Sequence, residues 1–136
     1  SMVLANALNE LGHKVYIVSN GLNKIHMRML SGFEVLIASN EKSDLEIIKD
    51  ISEDKSIDWL VVDHYLIDEA WEGLAKEYVR KIMVIDDLAN RRHLCDVLVD
   101  QNVKNSLQSR YQYLLPNNTK LLLGNKYLLA RDSFYL

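Results

Sequence analysis

The stretch WLVVDHYLID, residues 59–68, decides how this chain folds. It begins with four apolar residues, two of them β-branched valines. A short apolar run closed by polar residues is typical of a strand buried on both faces of a parallel sheet. Asp63, His64 and Tyr65 follow this run directly. Because ligands of parallel sheets bind just beyond the carboxyl ends of the strands, the stretch predicts a buried strand with its polar end at a binding site.

Similar apolar runs alternate with amphipathic helical patterns along the chain. Helices are predicted at residues 2–11, 24–30, 43–54 and 67–79. Gly12 is expected to end the first helix, Ser43 to cap the third through its spacing to Glu46, and Asp68 to cap the fourth. Strands are predicted at residues 15–18, 33–38, 57–63, 81–87, 96–102 and 120–124. The alternation indicates an α/β domain with a mostly parallel sheet and crossover helices.

Composition and charge argue against several classes of protein. A chain of 136 residues, 49% of them hydrophobic, suits a single folded domain. The net charge of -3 arises from interspersed acidic and basic residues, so there is no basic stripe for nucleic acid. No apolar run approaches the ~18 residues of a membrane span, and no signal-peptide pattern opens the chain. We therefore expect a cytoplasmic protein with neither a nucleic-acid nor a membrane partner.

The cysteine content and the glycine pattern limit the chemistry further. The single cysteine, Cys95, leads into an apolar strand and is expected to be a buried small hydrophobe. Neither a dinucleotide-binding nor a Walker glycine motif occurs, so no cofactor is expected to bind through such a motif. No third ligand is spaced to join Asp86 and Asp87, so no metal site is predicted.

Three predicted strands end in polar clusters, which are Asp63–His64–Tyr65, Asp86–Asp87 and Asp100–Gln101–Asn102. Since parallel strands bring their carboxyl ends to one edge of the sheet, the three clusters are expected to line a common cleft. This convergence favours a small-molecule site over a protein-binding face.

Each cluster also has a purely structural interpretation. His64 could act in the site or simply cap a neighbouring element, and the two readings are balanced. A substrate contact is slightly favoured over core filling for Tyr65, whose hydroxyl donates while its ring packs. Successive strand residues point to opposite faces, so one of Asp86 and Asp87 is expected to cap a turn or helix.

The remaining polar segments have weaker signals. Arg91, Arg92 and His93 suggest a phosphate-binding loop, but a solvated loop is the favoured reading. The amides of the third cluster could bond sugar hydroxyls or fasten the loop to Pro116, and both alternatives stay open. The other two histidines, His13 and His26, are expected on the surface.

Several long motifs resemble one enzyme family. They are VVDHYLID with WE, KIMVIDDLANRRHLCDVLVDQN, RYQYLLP and LLLGNKYLLARDSFY, and together they cover nearly the whole chain. In these motifs the chain is similar to the N-terminal half of the bacterial UDP-sugar hydrolases of pseudaminic acid biosynthesis, with related spore-coat polysaccharide proteins.

The resemblance implies an architecture and an activity. It implies two Rossmann-like domains facing a cleft, as in B-type glycosyltransferases, with residues 1–136 forming the N-terminal one. The implied reaction cleaves the sugar C1–O bond of a UDP-linked diacetamido-trideoxy sugar and releases UDP. The family's tyrosine in the Asp-His-Tyr stretch carries over to Tyr65, and His64 is expected to assist it. Asp63, Asp87 and Asn102 are then the expected substrate-binding residues.

The resemblance also implies groups that this sequence does not contain. In the family a histidine on a glycine-rich loop after the first strand is expected to activate water, and a C-terminal domain holds most of the UDP. His13 is misplaced for that role, so we expect residues 1–136 to be inactive alone. We also expect them to self-associate through the cleft face that is then exposed. The alternatives are the N-terminal domain of a B-type glycosyltransferase and a non-catalytic module that binds a sugar or a partner.

Overall fold

The computed structural model describes residues 2–19, 33–101 and 110–124. In chain order the described elements are α1 (Met2–Glu10), β1 (Tyr16–Ser19), β2 (Glu34–Ile37), α2 (Asp44–Asp54), β3 (Ile57–Val62), α3 (Glu69–Ala75), β4 (Val79–Ile85), β5 (Val97–Asp100) and β6 (Lys120–Leu123). The helix predicted at residues 24–30, with His26, lies outside the described residues, and so does Asn102.

The described strands form two parallel sheets. One contains β1 and β2, and the other has the order β3-β4-β5-β6 with every neighbouring pair parallel. Helix α2 connects β2 to β3, and α3 connects β3 to β4. The α/β class and the parallel strands are therefore confirmed as a Rossmann-like arrangement, although the described strands form two sheets where one was expected.

The two sheets run in the same direction, as two side-chain contacts show. Near the carboxyl ends of the strands, Trp71 Nε1 donates to Asp44 Oδ1 at 3.1 Å. Near their amino ends, Lys55 Nζ donates to Tyr16 Oη at 2.8 Å. Asp44 follows β2 and Trp71 follows β3, so the carboxyl ends of both sheets lie on the same side of the molecule.

The helix ends follow the signals in the sequence. Gly12 has a φ of 90°, a backbone conformation in which a side chain is strained, and it lies just past the end of α1. Ser43 caps α2 by accepting a hydrogen bond from Glu46 N at 3.2 Å. Asp68 caps α3 by accepting from Ala70 N at 3.0 Å. These three predictions are confirmed.

Helix α3 is shorter than its sequence pattern predicts. It ends at Ala75, and the next strand already begins at Val79, where the pattern still indicated a helix. Apolar residues of the 76–79 segment fit either periodicity, and pairing decides between them, because Val79 pairs with Ile57 of β3. Pairing with β3 therefore makes β4 begin two residues earlier than the sequence pattern predicts.

The core lies around the two central strands of the larger sheet. Ile82 and Val84 of β4 and Leu98 of β5 are almost completely buried. Strand β3 is an edge strand among the described residues, and Trp59 remains 48% exposed. The prediction that this strand is buried on both faces is therefore wrong for its first half. Cys95 lies in the core as expected, and burial raises the pKa of its thiol to about 12.

A buried acid and imidazole pair joins α3 to the segment before β5. Glu72 and His93 are both fully buried, with His93 Nδ1 at 2.8 Å from Glu72 Oε2. Glu72 Oε1 also accepts from Leu94 N at 2.8 Å. Glu72 is therefore the hydrogen-bond partner of both the His93 ring and the Leu94 amide. The prediction of a solvated loop is therefore wrong for His93, because its ring lies beneath α3.

None of the helices in the described parts of the chain is both long enough and apolar enough to cross a membrane.

We predict that replacing Glu72 by Ala lowers the free energy of unfolding by about 3–5 kcal/mol, because it leaves His93 and Leu94 N buried without their acceptor. Glu69→Ala, on the exposed face of the same helix, is the matched control and should cost less than about 1 kcal/mol. Urea unfolding of both variants measures the difference. Equal losses would show that the buried pair contributes nothing beyond an exposed glutamate.

Candidate functional site

Three strand ends meet at one edge of the larger sheet. We call this edge the rim and define it by Asp63, His64, Tyr65, Asp86, Asp87 and Asp100. Tyr111 Oη donates to Asp100 Oδ2 at 2.8 Å and lies 3.1 Å from Asp86 Oδ2, which joins the second and third strand ends. Arg91 joins the first and second, because it donates to the carbonyl of His64 at 2.9 Å and pairs with Asp86 at 3.0 Å. The prediction that these clusters share one end of the sheet is therefore confirmed for the described members.

Tyr65 projects from the rim. Its side chain is 59% exposed, and the negative charge of Asp87, followed by partial desolvation and the hydrogen bond to Asp87, raises the pKa of the Tyr65 phenol. Asp63 and Asp86 add to the effect in the same direction. A phenol with a raised pKa keeps its proton at neutral pH, so Tyr65 is suited to donate a hydrogen bond and not to accept a proton.

His64 has its ring orientation set by a local turn. Its Nδ1 accepts a hydrogen bond from Leu66 N at 3.0 Å, so in the neutral ring the proton sits on Nε2. His64 is exposed, and its Nε2–H therefore presents a second donor to solvent. A neutral His64 in this arrangement donates from the rim and has no free nitrogen to act as a base.

Asp86 is buried and serves the structure of the rim. Its carboxylate accepts from Ala89 N at 3.0 Å and pairs with Arg91 Nη1 at 3.0 Å. Burial alone would raise the pKa of Asp86, but the bond from Ala89 and the charges of Arg91 and His93 outweigh it and lower the pKa. Ala89 has a φ of 48°, a left-handed conformation that costs roughly 1–2 kcal/mol, so the bond also stabilises a strained turn. Asp86 is the acidic residue of the pair that caps a turn.

Asp100 is likewise buried and was expected to line a cleft. It accepts from Tyr111 Oη at 2.8 Å and pairs with Arg110 Nη1 at 3.3 Å, so it has no access to a ligand. Arg110 Nη2 also donates to the carbonyl of Asp87 at 3.0 Å. Burial, followed by the hydrogen bond to Asp100, strongly raises the pKa of the Tyr111 phenol. Sequence reasoning missed Arg110 and Tyr111, since nothing in the spacing of the RYQYLLP segment indicates contact with strand ends.

The accessible chemistry of the rim is that of hydrogen bonding to a polar, uncharged ligand. The two arginines beside it, Arg91 and Arg110, are paired with the buried Asp86 and Asp100. The loop of Arg91 was expected to be solvated, and this is wrong for its side chain, which is only 14% exposed, while Arg92 is exposed. With both cations neutralised by carboxylates, the rim suits hydroxyl and amide groups better than a phosphate.

The expected site residues are thus placed as follows. Asp63, His64 and Tyr65 are exposed, and Asp87 is half-buried beside Tyr65. Asn102 lies outside the described residues. Among the described residues there is no group of three or more His, Cys, Asp or Glu side chains arranged to hold a metal ion.

Two cavities in the described parts of the chain have no rim residue in their lining. One, of about 510 Å³, is lined by residues 52–57 and 77–80 at the amino ends of β3 and β4. The other, of about 260 Å³, lies between Ala38 and Asp44, beyond β2. Parallel sheets bind ligands at the carboxyl ends of their strands, so the larger cavity is on the side where a site is not expected. The smaller cavity does lie on the carboxyl side, but its Ser39, Ser43 and Asp44 side chains accept hydrogen bonds from the local turn and helix cap. We therefore place the candidate site on the open rim.

Two known proteins are similar to this chain. The first is the UDP-2,4-diacetamido-2,4,6-trideoxy-beta-L-altropyranose hydrolase of Campylobacter jejuni, 35% identical over 97 residues, which cover 71% of this chain and 34% of that protein. The second is an uncharacterized protein of Methanocaldococcus jannaschii, 27% identical over 106 residues, or 77% of this chain and 21% of that protein. No protein-family model matches the chain. The similarity supports a distant relationship to the hydrolase, and the match spans about a third of its length.

We predict that Asp86→Asn destabilises the protein by about 3–5 kcal/mol at neutral pH, because Arg91 then loses its buried counter-charge. The folded-state pKa of Asp86 lies below its ordinary value of 3.8. Its contribution is therefore present above that value and is lost as the pH falls through it and through the lower folded pKa. Urea unfolding between about pH 7 and pH 3 should show the gap to the unmodified protein narrowing below about pH 5. The exposed Asp63→Asn is the control, and a gap independent of pH would contradict the assignment.

Proposed function

We propose that this chain forms the sugar side of an enzyme acting on a nucleotide sugar. The single observation that carries the proposal is the rim itself, where the exposed Tyr65 and His64 donors stand beside carboxylates, and where Arg91 and Arg110 are each paired with a buried aspartate. The similarity to a protein named as a UDP-sugar hydrolase supplies the class of substrate.

We propose in particular a hydrolysis that releases UDP from a UDP-linked diacetamido-trideoxy sugar. In this reaction a water oxygen bonds to the sugar C1 and gives up a proton to the base, while the C1–O bond to the diphosphate breaks and UDP leaves with the bonding electrons. UDP is a good leaving group, so the reaction chiefly needs a placed water, a base and donors for the developing charge. The rim supplies placement, and the base and the diphosphate donors are assigned to other parts of the complete protein.

Each rim residue then has a stated role. When the ligand binds, Tyr65 turns its hydroxyl from Asp87 and donates a hydrogen bond to the sugar or to the oxygen of the attacking water, since its raised pKa keeps it protonated. His64 donates from Nε2 and assists orientation. Asp63 and Asp87 accept hydrogen bonds from sugar hydroxyl or amide groups, and Asn102 is proposed to join them. No metal or cofactor has a role in the proposed reaction.

The test is UDP release by the complete protein that the reading frame encodes, with Tyr65→Phe as the variant. We expect kcat/KM to fall about 2- to 10-fold, because a hydrogen bond between uncharged groups contributes about 0.5–1.5 kcal/mol and each 1.4 kcal/mol is about a factor of ten. Tyr113→Phe removes the hydroxyl of an exposed tyrosine outside the rim and serves as the control.

The outcomes separate the competing functions. UDP release without any acceptor supports hydrolysis, whereas release that requires an acceptor sugar indicates a B-type glycosyltransferase. Unchanged turnover in Tyr65→Phe would show that the rim takes no part in the reaction, and it would favour a non-catalytic module that binds a sugar or a partner. We also expect residues 1–136 alone to give no turnover, and measurable turnover by them would contradict the assignment of the base to another part of the protein.

We further propose that the isolated chain self-associates. Trp59 on the edge strand β3 is 48% exposed, and Leu66 and Leu88 beside the rim are 86% and 44% exposed. Exposed apolar side chains and an open strand edge both favour association. Light scattering over a range of concentrations should show a rising average mass, and Trp59→Lys should reduce the rise. A monomer at every concentration would contradict this proposal.

A further inference from the structure

The guanidinium group of Arg91 bonds three residues that lie after the ends of β3 and β4. Its Nη1 pairs with Asp86 Oδ1 at 3.0 Å, at the end of β4. Its Nη2 donates to the carbonyl of His64 at 2.9 Å, and its Nε donates to the carbonyl of Ile67 at 2.6 Å. The side chain is only 14% exposed. The guanidinium therefore lies inside the loop that follows β3 and holds it to the end of β4.

The two carbonyls that Arg91 binds enclose Tyr65 and Leu66. The side chains of these two residues are 59% and 86% exposed, so packing does little to fix them. The bond from Leu66 N to His64 Nδ1 closes the turn within itself and makes no connection to β4. Arg91 binds the main chain at both ends of this turn, while the Ile67 side chain adds packing against the core at one end.

The pairing with Asp86 fixes the guanidinium in turn. The Asp86 carboxylate is fully buried and is also bonded by Ala89 N and Tyr111 Oη. A planar guanidinium donates in several fixed directions at once, whereas a lysine ammonium is a point charge on a flexible stem. Lysine at this position would keep the ion pair with Asp86 but could not hold the same two carbonyls in the same geometry.

We propose that Arg91 is a positioning residue that holds the turn of residues 64–67 so that the Tyr65 hydroxyl stands beside Asp87 and faces the ligand. Arg91 acts through Tyr65 and does not touch the substrate. The consequence for turnover rests on the proposed function, whereas the placement of Tyr65 is a property of the folded chain and is tested separately.

The first experiment follows the titration of Tyr65 by NMR of protein with ¹³C-labelled tyrosine, assigned with Tyr65→Phe. The charge of Asp87, followed by desolvation and the bond to Asp87, raises the pKa of Tyr65, with smaller contributions from Asp63 and Asp86. In Arg91→Lys we expect this pKa to fall toward the ordinary value of 10.0, because the turn moves away from Asp87. The exposed Arg92→Lys, one residue away, is the matched control and should leave it unchanged.

The direction of the shift distinguishes positioning from simple electrostatics. Arg91→Lys keeps the positive charge, so an arginine that acted only through charge would leave the Tyr65 pKa unchanged, and its removal in Arg91→Gln would raise the pKa. A fall in Arg91→Lys supports the proposal. An unchanged or raised pKa in a folded Arg91→Lys overturns it.

A measurement on the unmodified protein covers the case in which Arg91→Lys does not fold. The Nε–H of Arg91, held by the Ile67 carbonyl, should exchange with solvent at least about tenfold more slowly than that of exposed Arg92, because a buried hydrogen bond must open first. Equal exchange rates would show that the hydrogen bond from Arg91 Nε to the Ile67 carbonyl does not form.

The consequence for catalysis is tested by a double-mutant cycle on UDP release by the complete protein. If Arg91 acts through Tyr65, Arg91→Lys lowers kcat/KM in the unmodified background but has little further effect in Tyr65→Phe. An equal loss in both backgrounds would overturn the positioning role. If the complete protein releases no UDP, the proposed function fails, while the titration and exchange results still decide the placement of Tyr65.

Discussion

The buried carboxylates at the ends of the two central strands are the constraint on which the rim depends. Asp86 follows β4 and Asp100 ends β5, both are fully buried, and the Tyr111 hydroxyl lies within hydrogen-bond distance of both. A buried carboxylate is tolerated only when it is paired and hydrogen-bonded. Arg91 and Arg110 supply those pairings, and each also donates to main-chain carbonyls. Neutralising two acids therefore fixes the loops around them.

This arrangement divides the acidic residues of the rim into two groups with different tasks. Asp86 and Asp100 are buried and bonded to other groups of the protein, whereas the charges of Asp87 and Asp63 raise the pKa of the exposed Tyr65. The structural acids also neutralise the nearby arginines, so the rim offers a ligand neutral donors and carboxylates. Hydroxyl and amide groups match this described surface better than a phosphate does.

Local patterns predicted most of the elements because their causes are local. The Ser43 and Asp68 caps, and Gly12 after α1, depend on side chains and backbone angles within a few residues. The same patterns failed where pairing partners decide the outcome. Helix α3 ended early because Val79 joins the ladder to β3, and Trp59 is half-exposed because β3 is an edge strand.

The sequence by itself determined the α/β class, the parallel strands and the convergence of three polar strand ends, since these follow from hydrophobic periodicity and from the geometry of parallel sheets. Only the tertiary structure decided which polar residues face solvent. Asp86 and Asp87 are neighbours in the chain, yet one is buried and the other borders Tyr65. The sequence around Arg91 and His93 predicted a solvated loop. In the fold, however, Arg91 pairs with Asp86 and His93 with Glu72. Such pairings depend on distances in space, which the order of residues does not specify.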